Sequence, residues 1–274
     1  MKTGAFIDSH AHLAMNYDSK ELEKAVEHPT LKQVWLLALE CYTDRGFAGN
    51  KKVLEVAKRY PGFFVPFGFI DFNGTAEQID RMKDAGFVGL KALRSPENYD
   101  CQKYFPIYER AETLKMPILF HVGIISKSPQ CGLTAKNYCT GPTKMRPSML
   151  DGISAAFPDL KLIHGHMGIP WANELFESLF YYPNIYASIS GLIDYKWLIE
   201  NLDRRAEDGR SFTKKLMFSV DRSYGLKGTL QKIIDRAEFT WMFFENVGRT
   251  YHWGQNATSY MYNNAKKFIE PFIL

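Results

Sequence analysis

The residues able to do chemistry fall into a few short motifs flanked by apolar runs. Five of the seven histidines lie in three of them: Ile7-Asp8-Ser9-His10-Ala11-His12, Phe120-His121-Val122-Gly123 and His164-Gly165-His166-Met167-Gly168. Two charged residues end similar runs, Lys91 in Gly89-Leu90-Lys91-Ala92-Leu93 and Asp221 in Phe218-Ser219-Val220-Asp221. Neutral imidazoles with a carboxylate are donors that borderline divalent metals such as zinc prefer, and a catalytic metal keeps one position open for water. Side chains alternate along an extended segment, so Asp8, His10 and His12 are expected on one face, with both imidazoles reaching the same space. A single histidine at a strand end is most simply a hydrogen-bonded structural residue. The joint placement of His, Lys and Asp after separate apolar runs is what points to a shared centre. His164 precedes His166 by two residues and is expected either to line that centre or to bond within the core.

The elements that must position these residues alternate along the chain. Strand-length apolar runs recur at 5–7, 33–39, 63–70, 87–93, 117–122, 160–164, 184–189 and 216–220, mostly continuous, as in strands buried on both faces. Helices are expected between them, at 20–27, from Asn50 to Tyr60, from the capping box Thr75-Ala76-Glu77-Gln78 to Gly86, and at 102–115, 148–156, 171–181, 195–206 and 229–237. Eight strands alternating with helices predict an α/β fold, a (β/α)8 TIM barrel, with residues 1–274 as one domain. No Gly-x-Gly-x-x-Gly follows the first strand, which weakens an open dinucleotide-binding sheet. In a barrel the chemistry sits at the C-terminal ends of the strands, where these motifs fall.

Composition narrows the class. The 34 basic and 30 acidic residues give a net charge of +4, too little to argue for nucleic acid. That surplus equals the four basic residues of 122–150 (Lys127, Lys136, Lys144 and Arg146), a stretch with no acid. Four cysteines without a Cys-x-x-Cys pair suit a reduced, cytoplasmic setting. No run approaches the roughly 18–20 apolar residues of a membrane span, and no secretory pattern precedes the first strand.

Together the motifs resemble the amidohydrolase superfamily, in particular the amidohydrolase-related branch that contains aminocarboxymuconate-semialdehyde decarboxylase. The similarity runs from Ile7–Leu13 through Gly89–Lys91, Pro117–Gly123, Leu162–Gly168 and Leu216–Asp221. It closes on Asn263-Asn264-Ala265-Lys266-Lys267-Phe268, which is similar to the family's Asn-Ala-x-x-Leu/Phe signature. The resemblance implies His10, His12, His121 and Asp221 as metal ligands, Asp221 also handling the proton of the attacking water. It implies that His166 orients that water, polarises the substrate or binds a second metal. The cofactor would be a divalent metal, zinc or manganese. Lys91, as a carbamate, would bridge two metals in a binuclear site, and His164 would be a further second-metal or substrate residue. One departure is visible: Ser219-Val220-Asp221-Arg222-Ser223 lacks the Ser/Thr-Asp followed by proline that is usual in relatives.

The implied reaction is hydrolysis of a small, anionic lactone, amide or ester by a metal-activated water. The alternatives are metal-dependent decarboxylation of a carboxylated substrate and a non-catalytic, ligand-binding barrel. A TatD-type nuclease begins with a similar Asp-x-His-x-His but places an acid where Lys91 stands. The basic residues of 124–147 read as a lid over the mouth. With Arg94 and Arg222 beyond the fourth and eighth strands, Lys127 would contact an anionic substrate. Asp8 is expected to bond near the histidines, His28 to cap a helix end and His252 to pack among aromatics. Glu40 and Cys41 are expected to line the pocket or to serve structure. The partner is then a small molecule, with no nucleic acid or membrane. A homo-oligomer is also expected, for which 241–244 and 260–262 are core or contact surface.

Overall fold

The computed structural model describes residues 3–124, 142–191, 195–202, 212–251 and 256–273. Each expected apolar run forms a strand: β1 (Phe6–Leu13), β2 (Leu31–Leu37), β3 (Phe64–Phe69), β4 (Gly89–Ala92), β5 (Ile118–His121), β6 (Leu162–Gly165), β7 (Ile185–Ser188) and β8 (Leu216–Met217), with a short β9 (Ser223–Tyr224). All neighbours are parallel, in the order β8-β7-β6-β5-β4-β3-β2-β1-β9.

β8 and β9 are two halves of one broken eighth strand. β8 pairs with β7 and β9 pairs with β1. The residues between them continue the pairing with β1: Ser9 N donates to the Phe218 carbonyl (3.0 Å), Asp221 N to that of His10 (2.9 Å) and His12 N to that of Arg222 (2.9 Å). The sheet therefore closes on itself as a barrel. The strand expected to run through Val220 leaves β7 after Met217, where the Phe218 N–H donates to the Tyr260 carbonyl (3.0 Å), and Asp221 beyond it takes a left-handed conformation, φ +58°.

Around the sheet lie α1 (Ser19–Val26), α2 (Asn50–Arg59), α3 (Glu77–Ala85), α4 (Phe105–Thr113), α5 (Met149–Ala156), α6 (Ala172–Tyr181), α7 (Tyr195–Asn201), α8 (Thr229–Tyr251) and α9 (Asn264–Ile273). The Asp18 carboxylate caps α1 by accepting from Lys20 N (2.9 Å). Asn50 does not cap α2. Its Oδ1 accepts from Phe69 N, and the Glu40 carboxylate takes the Asn50 N–H instead, so Glu40 serves structure. The Thr75 box likewise does not form: the Gln78 amide bonds Asp71 N, Asp71 O and Thr75 O. α8 runs well past Ala237, so the 241–244 aromatics sit on a helix. Of these Phe244 is buried and stacked on buried Tyr260.

Alternation along the strands sorts the core. Ile7, Trp35, Leu37, Val65, Phe67, Leu119, Ile163 and Met217 fill the barrel interior. α9 seals its N-terminal end, with Phe268 against Trp35 and Tyr186. Buried Asn264 fastens α9 to the start of β8, its Nδ2 donating to the carbonyls of Thr213 (3.0 Å) and Leu216 (2.8 Å). Asn264→Ala strands both carbonyls and should destabilise the fold by about 2–4 kcal/mol, roughly 1–2 for each buried unpaired group. A urea midpoint equal to wild type would show that the two bonds do not hold the helix.

Candidate functional site

Two irregularities in β1 and the eighth strand place the site. Between Asp8 (opposite Val34) and Ala11 (opposite Leu36), three steps along β1 match two along β2, a β-bulge. The bulge flips the phase. Asp8 shares the outward face of Val34, while His10 and His12 turn inward. The expectation that Asp8, His10 and His12 lie on one face is thus corrected, since a strict period of two does not survive the extra residue. Asp8 is instead a clamp: its carboxylate accepts from His10 N (3.3 Å), Val220 N (3.0 Å) and the Tyr224 hydroxyl (3.1 Å). Burial raises its pKa to about 7.

The clamp brings Asp221 to the histidines. Asp221 Oδ1 lies 3.1 Å from His12 Nε2 and 3.7 Å from His10 Nε2, and Oδ2 lies 3.9 Å from His166 Nδ1. Donor atoms of His10, His12 and Asp221 all lie within 4.8 Å of one another. Burial opposes ionisation of Asp221, yet the neighbouring His166, His12 and His10 hold its carboxyl well below the usual range. Lys91, buried at the end of β4, sets its Nζ 3.3 Å from His10 Nε2, and burial lowers its pKa to about 7. Gly165 is required here, because a Cβ would stand 2.8 Å from the Phe120 carbonyl and 3.0 Å from the His10 ring.

A hydrogen-bond chain fixes the imidazole tautomers. A carbonyl only accepts, so His121 Nε2, 3.2 Å from the Ile124 carbonyl, carries a hydrogen. Its Nδ1 then accepts from His166 Nε2 (2.9 Å), and His166 Nδ1 accepts from the Ser190 hydroxyl (2.9 Å). Ser190 Oγ in turn accepts from His10 Nδ1 (3.1 Å), leaving His10 Nε2 with a lone pair. His12 Nδ1 donates to the Leu37 carbonyl (2.9 Å), which turns its Nε2 toward Asp221 Oδ1, where a proton or a metal ion can sit between them. His12 Nε2 and the ionised Asp221 carboxylate face each other at 3.1 Å, a contact favourable with a proton or a metal ion between them. The donor set therefore fits a divalent metal. Burial keeps the rings of His10, His121 and His166 neutral, the last lowered to about 4.

The remaining candidates separate. His121 is not in the three-residue cluster, both its ring nitrogens being engaged as above. His164 does not line the site. It shares the face of Phe120 and Ala187, outside the barrel interior, because left-handed His166 (φ +71°) breaks the alternation that linked them. Its buried ring finds no hydrogen-bond partner among the described residues and faces away from the cluster of His10, His12 and Asp221. Arg94 is buried at the mouth, its Nε donating to the Tyr42 hydroxyl. Arg222 is exposed and lines a cavity of about 720 Å³ that reaches Asp221. Lys127, Lys136 and His252 lie outside the described residues. The other two basic residues of 122–150 are already paired, Lys144 with Glu97 and the Pro96 carbonyl, Arg146 with Glu174. Ser190 carries no chemical signal of its own in the sequence, although Ile189-Ser190-Gly191 ends the seventh apolar run as the other motifs end theirs.

Ser190 is thus a positioning residue for two histidines. In 15N-histidine-labelled, metal-free protein near neutral pH, His10 should be protonated on Nδ1, and His121 and His166 on Nε2. Ser190→Ala should disperse the tautomers of His10 and His166 while the His12 signals, set by Leu37 and Asp221, stay unchanged. An unchanged spectrum would remove Ser190 from the chain.

The amidohydrolase family profile matches residues 37–219. No curated protein matches the chain by sequence. Among solved structures, the chain is similar to an uncharacterised TIM-barrel protein from Bordetella bronchiseptica (17% identity, TM-score 0.64, 96% of this chain and 97% of that one). It is also similar to a probable 2-pyrone-4,6-dicarboxylic acid hydrolase from Acinetobacter baumannii with citric acid bound (13%, 0.62, 96% and 98%). A third is a manganese complex of 5-carboxyvanillate decarboxylase from Novosphingobium aromaticivorans (13%, 0.61, 97% and 96%). At such identities the likeness shows the barrel fold.

Proposed function

This chain belongs to the amidohydrolase family, and on that premise we propose that it is a metal-dependent hydrolase of a small anionic lactone, amide or ester, with residues 1–274 acting as one catalytic domain. The observation that carries the reading is the convergence of donor atoms of His10, His12 and Asp221 at the barrel mouth. These three would hold the ion. The resemblance adds His121, whose ligation would exchange its bond to His166 for the metal and release the His166 Nε2–H as a donor. Zinc suits this nitrogen-rich set, with manganese the other choice. Bound there, such an ion supplies Lewis-acid polarisation and a water acidic enough to attack near neutral pH.

The chain's own residues do the rest. Asp221, held ionised, accepts the proton of the attacking water and returns it to the leaving group. His166 donates to the oxygen that gains charge. Lys91 lies against His10, within reach of a second ion if it is carbamylated. Arg94 and Arg222 offer charge to the substrate from opposite walls. A cytoplasmic setting belongs to the proposal and rests on unpaired Cys41 and Cys101. Among the described residues no helix is long and apolar enough to cross a membrane. Decarboxylation is the second reading, favoured by the decarboxylase among the similar barrels and by a substrate carboxylate being a natural ligand for the same ion.

Protein purified without added metal should carry about one divalent ion per chain by plasma mass spectrometry, where two would assign Lys91 to a bridge. His12→Ala should lose the ion. His121→Ala is the discriminating variant, since full retention would keep His121 out of the ligand set. Asp221→Asn should stay folded and lose about 10²–10⁴-fold in kcat against lactones, amides or carboxylated aromatics. Undiminished turnover in Asp221→Asn would overturn its proton role.

A further inference from the structure

The cavity beside Asp221 is walled on its far side by the first turns of α8, which the metal centre does not use. Lys232 and Arg236 stand four residues apart on α8 and so face the same way, and Arg222 joins them from the break in the eighth strand. Among the described residues none of the three forms an ion pair. Two acids share this wall with the three cations, which leaves it with one net positive charge. Asp221 faces the histidines, and Asp235 accepts from the Gln231 amide at 2.8 Å. One turn beyond Arg236, the Phe239 ring is 53% exposed on the cavity wall, braced edge-to-face by Tyr195 at 5.4 Å. An exposed aromatic beside unpaired cations is a surface for a molecule with an apolar body and an anionic end.

We propose that this wall is a second anion subsite, in which Lys232, Arg236 and Arg222 hold a distal carboxylate or phosphate of the substrate while Phe239 covers its apolar middle. The substrate class is then a small dianion, with one anionic or electrophilic group at the His10–His12–Asp221 centre and another at α8. The proposal rests on the metal-centre reading for the near group only. The far group is bound mainly by Lys232 and Arg236, which stand on α8 away from the proposed ligands, while Arg222 follows Asp221 and its carbonyl accepts from His12 N. Half-exposed cations are screened by salt, so the preference should weaken as ionic strength rises.

The test is calorimetric titration of the zinc-loaded protein with benzoate, isophthalate and 3-phosphonobenzoate. Either dianion should bind about tenfold more tightly than benzoate, the effect of one partly exposed charge-assisted contact. Lys232→Gln/Arg236→Gln should erase that gain while leaving zinc content and benzoate affinity unchanged. Lys266→Gln/Lys267→Gln, an equal loss of basic charge on α9 at the other end of the barrel, should preserve the gain. A larger gain for the phosphonate assigns the subsite to phosphate, and a larger one for isophthalate to carboxylate. Dianions no tighter than benzoate, or a gain that survives the double variant, overturns the subsite. Failure of the metal reading shows separately, as protein that takes up no zinc. The double variant is then compared with wild type for dianion binding in the zinc-free state, and equal binding overturns the subsite there too.

Discussion

Everything at the mouth of this barrel depends on how the eighth strand meets the first. Asp221 and His12 are more than two hundred residues apart, and nothing local brings them together. The seam does: three backbone bonds run from 218–222 to β1, and Asp8 reaches across it to the Val220 N–H and the Tyr224 hydroxyl. Burying a carboxylate costs several kcal/mol unless hydrogen bonds replace its water, and Asp8 has three donors in place. The same seam holds Asp221 at positive φ, a conformation that costs a non-glycine residue about 1–3 kcal/mol and persists only when its surroundings enforce it. Arg94 and His166 share that strained geometry, so three of the four such residues among those described stand at one end of the barrel.

The second consequence of the seam is electrostatic. Burial drives the imidazoles of His10, His121 and His166 toward their neutral forms and Lys91 toward a free amine. Asp221 alone is pushed the other way. A buried centre with one firm negative charge, surrounded by nitrogen lone pairs, gains most from a cation, and the orientation of those lone pairs is set by carbonyls and serines behind the rings. The Ile124 and Leu37 carbonyls act as fixed acceptors at the two ends of the array, and Ser190 passes the constraint between rings. Selectivity for a metal thus begins in backbone positions that carry no functional side chain.

The sequence made the barrel legible because buried parallel strands read as continuous apolar runs, and it made the cluster legible because His, Lys and Asp closed those runs. What it hid were interruptions of period. The bulge in β1 reversed Asp8 relative to His10, and the left-handed turn at His166 separated it from His164. The break after Met217 shortened the strand expected to reach Val220. Each is a backbone event, one within β1 and two past a strand's C-terminal end, that side-chain type says little about. Ser190 was hidden for a different reason: serine is common at strand ends, and only the distances to two rings distinguish it. The length of α8 was underestimated because its aromatic-rich second half carries no cap or breaker, so nothing marked where it stopped.

Charge was the feature most easily misplaced. The basic residues of 122–150 account for the whole net surplus of the chain, which made that stretch the natural home for an anion. Yet Lys144 and Arg146 are held by Glu97 and Glu174, and a cation already paired has little left to offer a ligand. Lys232 and Arg236 sit in a helix whose overall charge is unremarkable, and linear counting passes over them. They matter because they are unpaired among the described residues and share a cavity with Asp221. A ligand responds to the charge left uncompensated within a few ångströms of it, since at physiological salt the field of a more distant excess decays within about 8 Å. The spatial arrangement of pairing, rather than the tally along the chain, therefore decides which wall of this barrel an anion approaches.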